Sequence, residues 1–187
     1  MNRTKTLQLL LMVCIVSCTR LLPHPVNIAP LGAIALFSAA TFRSNPLRFV
    51  LPLILTAFTD LLLTLTVNAA YTSPTTYFSS YSTYLMYLAY PLIGLLGLYA
   101  SKKGQIKQPL RIGAYSIGGS LIFFLLSNFA VWTGGFYGYS WSGLVSCYVA
   151  AIPFFHHSIL GDLMYNATLF GGLYWLNAYV WKESTAS

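Results

Sequence analysis

The segment from Phe49 to Asn68 reads FVLPLILTAFTDLLLTLTVN, and Asp60 is its only charged residue. A helix that crosses the hydrocarbon core of a bilayer needs about 20 mostly apolar residues. This segment has that length and almost unbroken apolar character. It therefore predicts a membrane-spanning helix, and with it an integral membrane protein.

The composition of the whole chain agrees with this prediction. The 187 residues are 57% hydrophobic and only 7% charged, whereas about a quarter of the residues in a soluble globular domain are charged. The mean hydropathy is +0.67. These values exclude a soluble domain and a disordered chain. The net charge of +7 does not indicate a nucleic-acid partner, because the basic residues lie between apolar segments and not on one face.

Further apolar segments predict more spanning helices. We expect an all-α, integral membrane six-helix bundle that forms a single transmembrane domain over residues 1–187. The stretch 143–155 is too short to span, and we expect it to form an extra half-helix, interfacial or re-entrant, before the last span. The predicted spans cover residues 6–22, 26–42, 49–68, 82–100, 112–133 and 158–181.

The basic residues predict the orientation of these spans, since Lys and Arg concentrate in cytoplasmic loops. With six spans and the N-terminus inside, Arg20 is the only basic residue on the outer side. We therefore expect a multi-pass membrane protein with its N-terminus on the cytoplasmic side and the lipid bilayer as its first partner. The residues expected inside are Arg3, Lys5, Arg43, Arg48, Lys102, Lys103, Lys107, Arg111 and Lys182.

The cysteines and histidines predict no metal site or cofactor. Cys14 and Cys18 share a helix face, but with the distant Cys147 they are typical of small apolar packing residues. The run up to Cys18 also resembles a lipoprotein processing box, so lipidation of Cys18 is an alternative. His156 and His157 precede an aspartate at spacings that match no strong metal motif.

Ionisable residues inside apolar segments are costly, and each one is a candidate functional residue. Asp60 is either a ligand or proton site, or a buried carboxylate bonded to neighbouring hydroxyl and amide groups. Arg20 can grip a carboxylate or phosphate with two parallel hydrogen bonds; alternatively, it snorkels to the interface or pairs with Asp60 or Asp162. Asp162 is alternatively explained by a position in the first turn of a helix.

Polar residues on the outer side complete the candidate pocket. Asn128 and Trp132 are four residues apart and share a helix face, and an amide within a span needs a partner. No enzyme motif is present, so we expect no catalytic residues and no enzymatic activity. The predicted ligand-binding residues are Arg20, His24, Asn27, Asp60, Asn128, Trp132 and Asp162.

Small residues predict close helix contacts. Rows of small residues four apart let helix backbones approach each other in a membrane. Ala29 and Ala33 form such a row in the second predicted span, and Gly171 and Gly172 lie in the last. Packing within the bundle and docking of a partner membrane protein both explain them.

Three stretches together resemble an uncharacterised family of small bacterial multi-pass membrane proteins. The resemblance covers these stretches directly, the spacing of the spans extends it, and it implies a location in the bacterial cytoplasmic (inner) membrane. The stretches are RLLPHPVNIAPLGAIALF at residues 20–37, SNFAVW at 127–132 and CYVAAIPFF at 147–155.

The chain is also similar to the substrate-binding S components of energy-coupling factor (ECF) transporters. The likeness rests on the Asn-x-x-Pro turn at Asn27–Pro30 before an alanine-rich helix, on six short spans and on a mass of 20.7 kDa. S components hold a vitamin, or in some cases a metal ion, in an outward-facing pocket, and an ATPase-driven partner topples them to release it inward. One departure is that S components carry the alanine-rich docking row on their first helix, whereas here it falls on the second.

This likeness implies a substrate-binding subunit or small uptake transporter for a vitamin-like small molecule that enters from the outside. ECF-type membrane and ATPase subunits are then the expected partners, and no nucleic acid is expected. The alternative is a structural or assembly protein of the bacterial inner membrane with no soluble ligand. A third class, an intramembrane enzyme, would need Asp60 and Asp162 within catalytic reach of each other.

Overall fold

The computed structural model describes residues 3–25, 27–42, 45–100 and 109–181. Every regular element in this part of the chain is helical, which confirms the all-α class. The predicted positions Val26, Arg43, Lys102, Lys103, Lys107 and Lys182 lie outside it. The helices are α1 (Arg3–Cys18, continued by a 3-10 turn over Thr19–Leu21), α2 (Leu31–Thr41), α3 (Leu47–Leu65), α4 (Pro74–Ser79), α5 (Tyr81–Ala100), α6 (Pro109–Thr133) and α7 (Trp141–Trp175, continued by a π turn over Leu176–Val180).

Five of these helices are long and apolar enough to cross a bilayer. They cover Arg3–Leu21, Leu47–Leu65, Tyr81–Ala100, Pro109–Thr133 and Trp141–Val180. This finding agrees with a multi-pass membrane protein. The second predicted span differs, because α2 has only 11 residues. At 1.5 Å per residue it is about 16 Å long, roughly half the thickness of the hydrocarbon core.

The short helix α2 lies at the centre of the bundle and contacts α1, α3, α5, α6 and α7. Its side chains from Ala33 to Ala40 are all buried, as expected for a helix that is apolar on every side. Small residues let α5 pack closely against it. A Cβ atom at Gly97 would overlap the carbonyl oxygen of Leu36 and come within 2.9 Å of the Ala39 Cβ.

Paired contacts along the helices show that α1 and α3 are parallel. Thr19 contacts Tyr165 and Gln8 contacts Trp181, so α1 is antiparallel to α7. In the same way α7 is antiparallel to α6, α6 to α5 and α5 to α3. Arg20, just after α1, pairs with Asp60 near the end of α3. At the opposite end of the bundle, Trp181 donates a 2.6 Å hydrogen bond from Nε1 to Gln8 Oε1, and Lys5 lies 4.9 Å above its ring. The chain between α1 and α3 must therefore return from the Arg20 end to the opposite end, and α2 covers part of that distance.

The predicted half-helix over residues 143–155 is wrong as a separate element. These residues belong to α7, which runs through Pro153 without a break for 35 residues. Its start is fixed by Ser140, whose Oγ accepts a 3.1 Å hydrogen bond from the Gly143 amide. Proline is tolerated within membrane helices, and Pro153 lies inside α7 without ending it. At about 52 Å, α7 is longer than the hydrocarbon core is thick.

Candidate functional site

A cavity of about 210 Å³ lies at the start of α2. We call it the α2 cavity. The chain between α1 and α2 contributes His24, Asn27 and Ala29 to its lining. The residues that line the cavity are Arg20, His24, Asn27, Ala29, Leu31, Gly32, Tyr90, Phe123, Ser158 and Asp162.

The irregular segment before α2 follows from its sequence. Pro23, Pro25 and Pro30 lack the backbone N–H that a helix needs. Asn27 has a φ of 66°, the left-handed conformation that asparagine tolerates better than most residues. Asn27 lies in a turn that a 3.1 Å hydrogen bond from the Ile28 amide to the Pro25 carbonyl closes, and α2 begins directly after Pro30.

Asp162 of α7 lies against the first turn of α2. Its Oδ2 accepts a 2.7 Å hydrogen bond from Ser120 Oγ, and the backbone amide of Ala33 lies near the carboxylate. A Cβ atom at Gly32 would come within 2.6 Å of Asp162 Oδ1, so the close approach requires glycine there. The carboxylate thus complements the positive end of the α2 dipole.

Asp60 lies behind the α2 cavity and is fully engaged by other side chains. Its Oδ1 is 2.5 Å from Arg20 Nη1, and its Oδ2 accepts hydrogen bonds from the hydroxyls of Tyr77 at 2.9 Å and Tyr87 at 2.6 Å. The residue is 3% exposed. The alternative of a buried carboxylate held by neighbouring hydroxyl groups therefore describes its contacts.

Arg20 joins this cluster to the α2 cavity. The Nη1 atom that pairs with Asp60 also donates a 2.8 Å hydrogen bond to Thr59 Oγ1. Both contacts use one nitrogen of the guanidinium, so Nη2 and Nε remain for a group in the cavity. Arg20 therefore lines the α2 cavity, and the negative charge of Asp60 neutralises its positive charge.

Tyr77 reaches Asp60 from the short helix α4, outside the long apolar helices. Burial raises the pKa of Tyr77 above its ordinary value, and the negative charge of Asp60 raises this pKa further. The phenol is therefore protonated at neutral pH, and its hydroxyl keeps donating to the carboxylate. This contact covers the Arg20–Asp60 ion pair on the side that faces α4.

The structure brings some of the predicted ligand residues together and separates others. Arg20, His24, Asn27 and Asp162 line the same cavity. Asn128 instead donates from Nδ2 to the carbonyl of Phe124 at 2.7 Å. Trp132 donates from Nε1 to the carbonyl of Gly138 at 3.0 Å. Neither of these two lines the α2 cavity.

Six further lining residues were not predicted, and three of these come from helices other than α2 and the segment before it. Ser158 precedes Asp162 by one helical turn, so its place on the same face was a usable signal. Tyr90 and Phe123 come from α5 and α6, and their rings lie 6.3 Å apart. No feature of the sequence distinguishes these two from the many other aromatic residues in apolar segments.

The cysteines and histidines are spread over the bundle. Cys147 is buried, whereas Cys14 and Cys18 are exposed on α1. The rings of His156 and His157 lie 4.0 Å apart but do not line the α2 cavity. Over the described ranges, no three His, Cys, Asp or Glu residues lie close enough together to hold a metal ion.

Comparison with known proteins gives a family without an assigned activity. Residues 1–184 match the model of DUF6580, a family of unknown function. The chain belongs to this family. No curated protein and no solved structure matches it. The DUF6580 match extends over every residue that lines the α2 cavity, and it agrees with the expectation of an uncharacterised family.

Proposed function

We propose that this DUF6580 protein is a membrane-embedded binding protein for a small polar molecule, which it takes up from the side where Arg20 lies. The observation that carries the proposal is the α2 cavity, where four of the seven predicted ligand residues converge. Binding sites for small molecules are concave and combine apolar walls with a few polar groups. Tyr90, Phe123 and Leu31 supply the walls, and Arg20 and Asp162 supply the polar groups.

The size of the α2 cavity limits the ligand. A dry engineered cavity of about 150 Å³ is enough to bind benzene, and the α2 cavity measures about 210 Å³. A single ring with short substituents fits this space. His24 and Asn27 are exposed, whereas Tyr90, Ser158 and Asp162 are buried. The first pair thus forms the mouth of the cavity and the other three its floor.

The helix directions support six crossings with the N-terminus inside. Because α1 and α3 are parallel, the chain between them supplies a crossing although α2 is short. The starts of α1, α3 and α6 share one end of the bundle and carry Arg3, Lys5, Arg48 and Arg111. Arg20 lies at the opposite end, so the positive-inside rule places the mouth of the cavity outside.

A six-crossing bundle with a cavity near its outer face is the architecture that the likeness to ECF S components implies. We therefore propose an S-component-like role in uptake, with a membrane subunit and an ATPase subunit as partners that release the ligand inward. The support is the helix arrangement together with the turn at Asn27 that leads into α2.

Native mass spectrometry of gently purified protein tests the proposal. We expect an additional small-molecule mass on the wild-type protein. The variant Ser158→Leu fills the α2 cavity from α7 and should lose this mass. The matched control Ala167→Leu adds the same side chain to the same helix, where the residue is exposed, and should retain it.

Two results would contradict the proposal. The first is an additional mass that Ser158→Leu retains, because the molecule would then bind elsewhere. The second is a wild-type protein with no added mass and no thermal stabilisation across a panel of vitamins. The second result favours an assembly protein. That alternative has an observation of its own, because Asp60, Asn128 and Trp132 are all bonded within the chain.

A further inference from the structure

We propose that the ligand of the α2 cavity carries a protonated nitrogen and that this group pairs with Asp162. The inference rests on the proposed binding function and specifies the chemical class of the ligand. It reverses the expectation from the sequence, in which Arg20 selects an anion. The arrangement of charges around the cavity is the reason for the reversal.

The two acidic residues of the bundle differ in their counter-charges. Asp60 has a cationic partner in Arg20, at 2.5 Å, and together they are neutral. Asp162 has no Lys or Arg partner within 4.0 Å among the described residues. The start of α2 contributes only about half a positive charge. With Asp162 ionised, the α2 cavity therefore has an excess of negative charge, which a ligand cation would stabilise.

The contacts of Asp162 leave room for a ligand. A carboxylate offers about four acceptor positions, and the hydrogen bond from Ser120 occupies one of them. The residue is 7% exposed and lines the cavity. A hydrogen-bonded carboxylate in this position is held in one orientation, as recognition of an ammonium or amidinium group requires.

The other polar groups that line the cavity do not supply the missing charge. Arg20 is matched by Asp60, and Tyr90 is a neutral phenol. His24 is exposed, and its Nδ1 lies 3.0 Å from the carbonyl of Pro25. A buried carboxylate without a cation is unfavourable. A ligand cation that enters the cavity relieves this cost, whereas an anion adds to it.

Three probes of nearly equal size test the inference by isothermal titration calorimetry at pH 7. Benzylamine carries a cation, benzyl alcohol is neutral and benzoate is an anion. We expect benzylamine to bind about tenfold or more tightly than benzyl alcohol, because charge-assisted hydrogen bonds are roughly twice as strong as neutral ones. Benzoate should bind most weakly of the three.

Asp162→Asn removes the charge but keeps an oxygen for Ser120. In this variant we expect the benzylamine preference to fall to within about twofold of benzyl alcohol, because only neutral hydrogen bonds remain. Ser158→Leu should abolish binding of every probe, which shows that they bind in the α2 cavity. The ranking in the wild-type protein needs no variant and so tests the inference even if Asp162→Asn does not fold.

The outcomes separate this inference from the proposed function. If benzoate binds more tightly than benzylamine, or if Asp162→Asn leaves their ratio unchanged, the assignment of a cationic ligand is wrong while the cavity remains a binding site. If no probe binds, or if binding survives Ser158→Leu, both the binding function and the cationic class are overturned.

Discussion

Replacing Asp60 by alanine is expected to lower the free energy of unfolding by about 3–5 kcal/mol, the usual effect of removing one partner from a buried ion pair. The variant leaves the Arg20 charge without its partner and removes the acceptor of the Tyr77 and Tyr87 hydroxyls. These contacts join the end of α1 to α3, α4 and α5, so the change affects the end of the bundle where Arg20 lies. Reversible unfolding in mixed micelles measures the difference.

Two control variants separate the ion pair from the hydrogen bonds. Tyr77→Phe removes one hydroxyl donor and should cost about 1 kcal/mol. The double variant Arg20→Gln with Asp60→Asn removes both charges and should be more stable than Asp60→Ala. A loss in Asp60→Ala no larger than that in Tyr77→Phe would show that the ion pair is not a main support of the fold.

Replacing Gly97 by alanine is expected to cost about 1–3 kcal/mol, the range for added atoms in a packed core. The new Cβ would overlap the carbonyl oxygen of Leu36 and press on Ala39. Because Leu36 contributes a backbone atom, only a separation of α2 and α5 relieves the overlap. Unfolding of the variant in mixed micelles checks this expectation.

Gly171 provides a matched control for Gly97, since it also lies within a long helix. A Cβ at Gly171 meets no atom within 4 Å. Alanine is a better helix former than glycine by about 1 kcal/mol, so Gly171→Ala should be neutral or stabilising. If both variants lose the same stability, the close approach of α2 and α5 does not explain the glycine at position 97.

The long helices could be predicted from the sequence because their apolar segments match the thickness of a bilayer. Tyr81–Ala100 and Pro109–Thr133 differ from the predicted ranges by at most three residues. The two helices that differ most from the predicted elements, α2 and α7, both have a proline at the point of difference. Pro30 shortens α2 to half a span, whereas Pro153 lies within α7 and does not end it. A proline predicts the end of a helix in both places. Whether the helix continues through it depends on packing against the surrounding helices.

The candidate site could be predicted where a charge lies in an apolar segment. Arg20 and Asp162 were identified because such residues need a partner or a cavity. Asn128 and Trp132 gave a similar signal, but nearby backbone carbonyls satisfy them. The pairing of Arg20 with Asp60 was one of the alternatives that the sequence left open. The contact of Tyr77 with Asp60 was not, because Tyr77 lies on the short helix α4. Packing between distant segments, which no local pattern encodes, determines these contacts.

The central claim is that the α2 cavity holds a small molecule, and an electron cryo-microscopy structure of the protein purified without added ligand tests it most directly. An antibody fragment bound at an exposed loop would provide the size that imaging requires. We predict density that does not belong to the chain between Tyr90, Phe123 and Asp162, within hydrogen-bond reach of the Asp162 carboxylate. A cavity closed by the chain's own side chains, with Asp162 paired to a lysine or arginine, would contradict the claim.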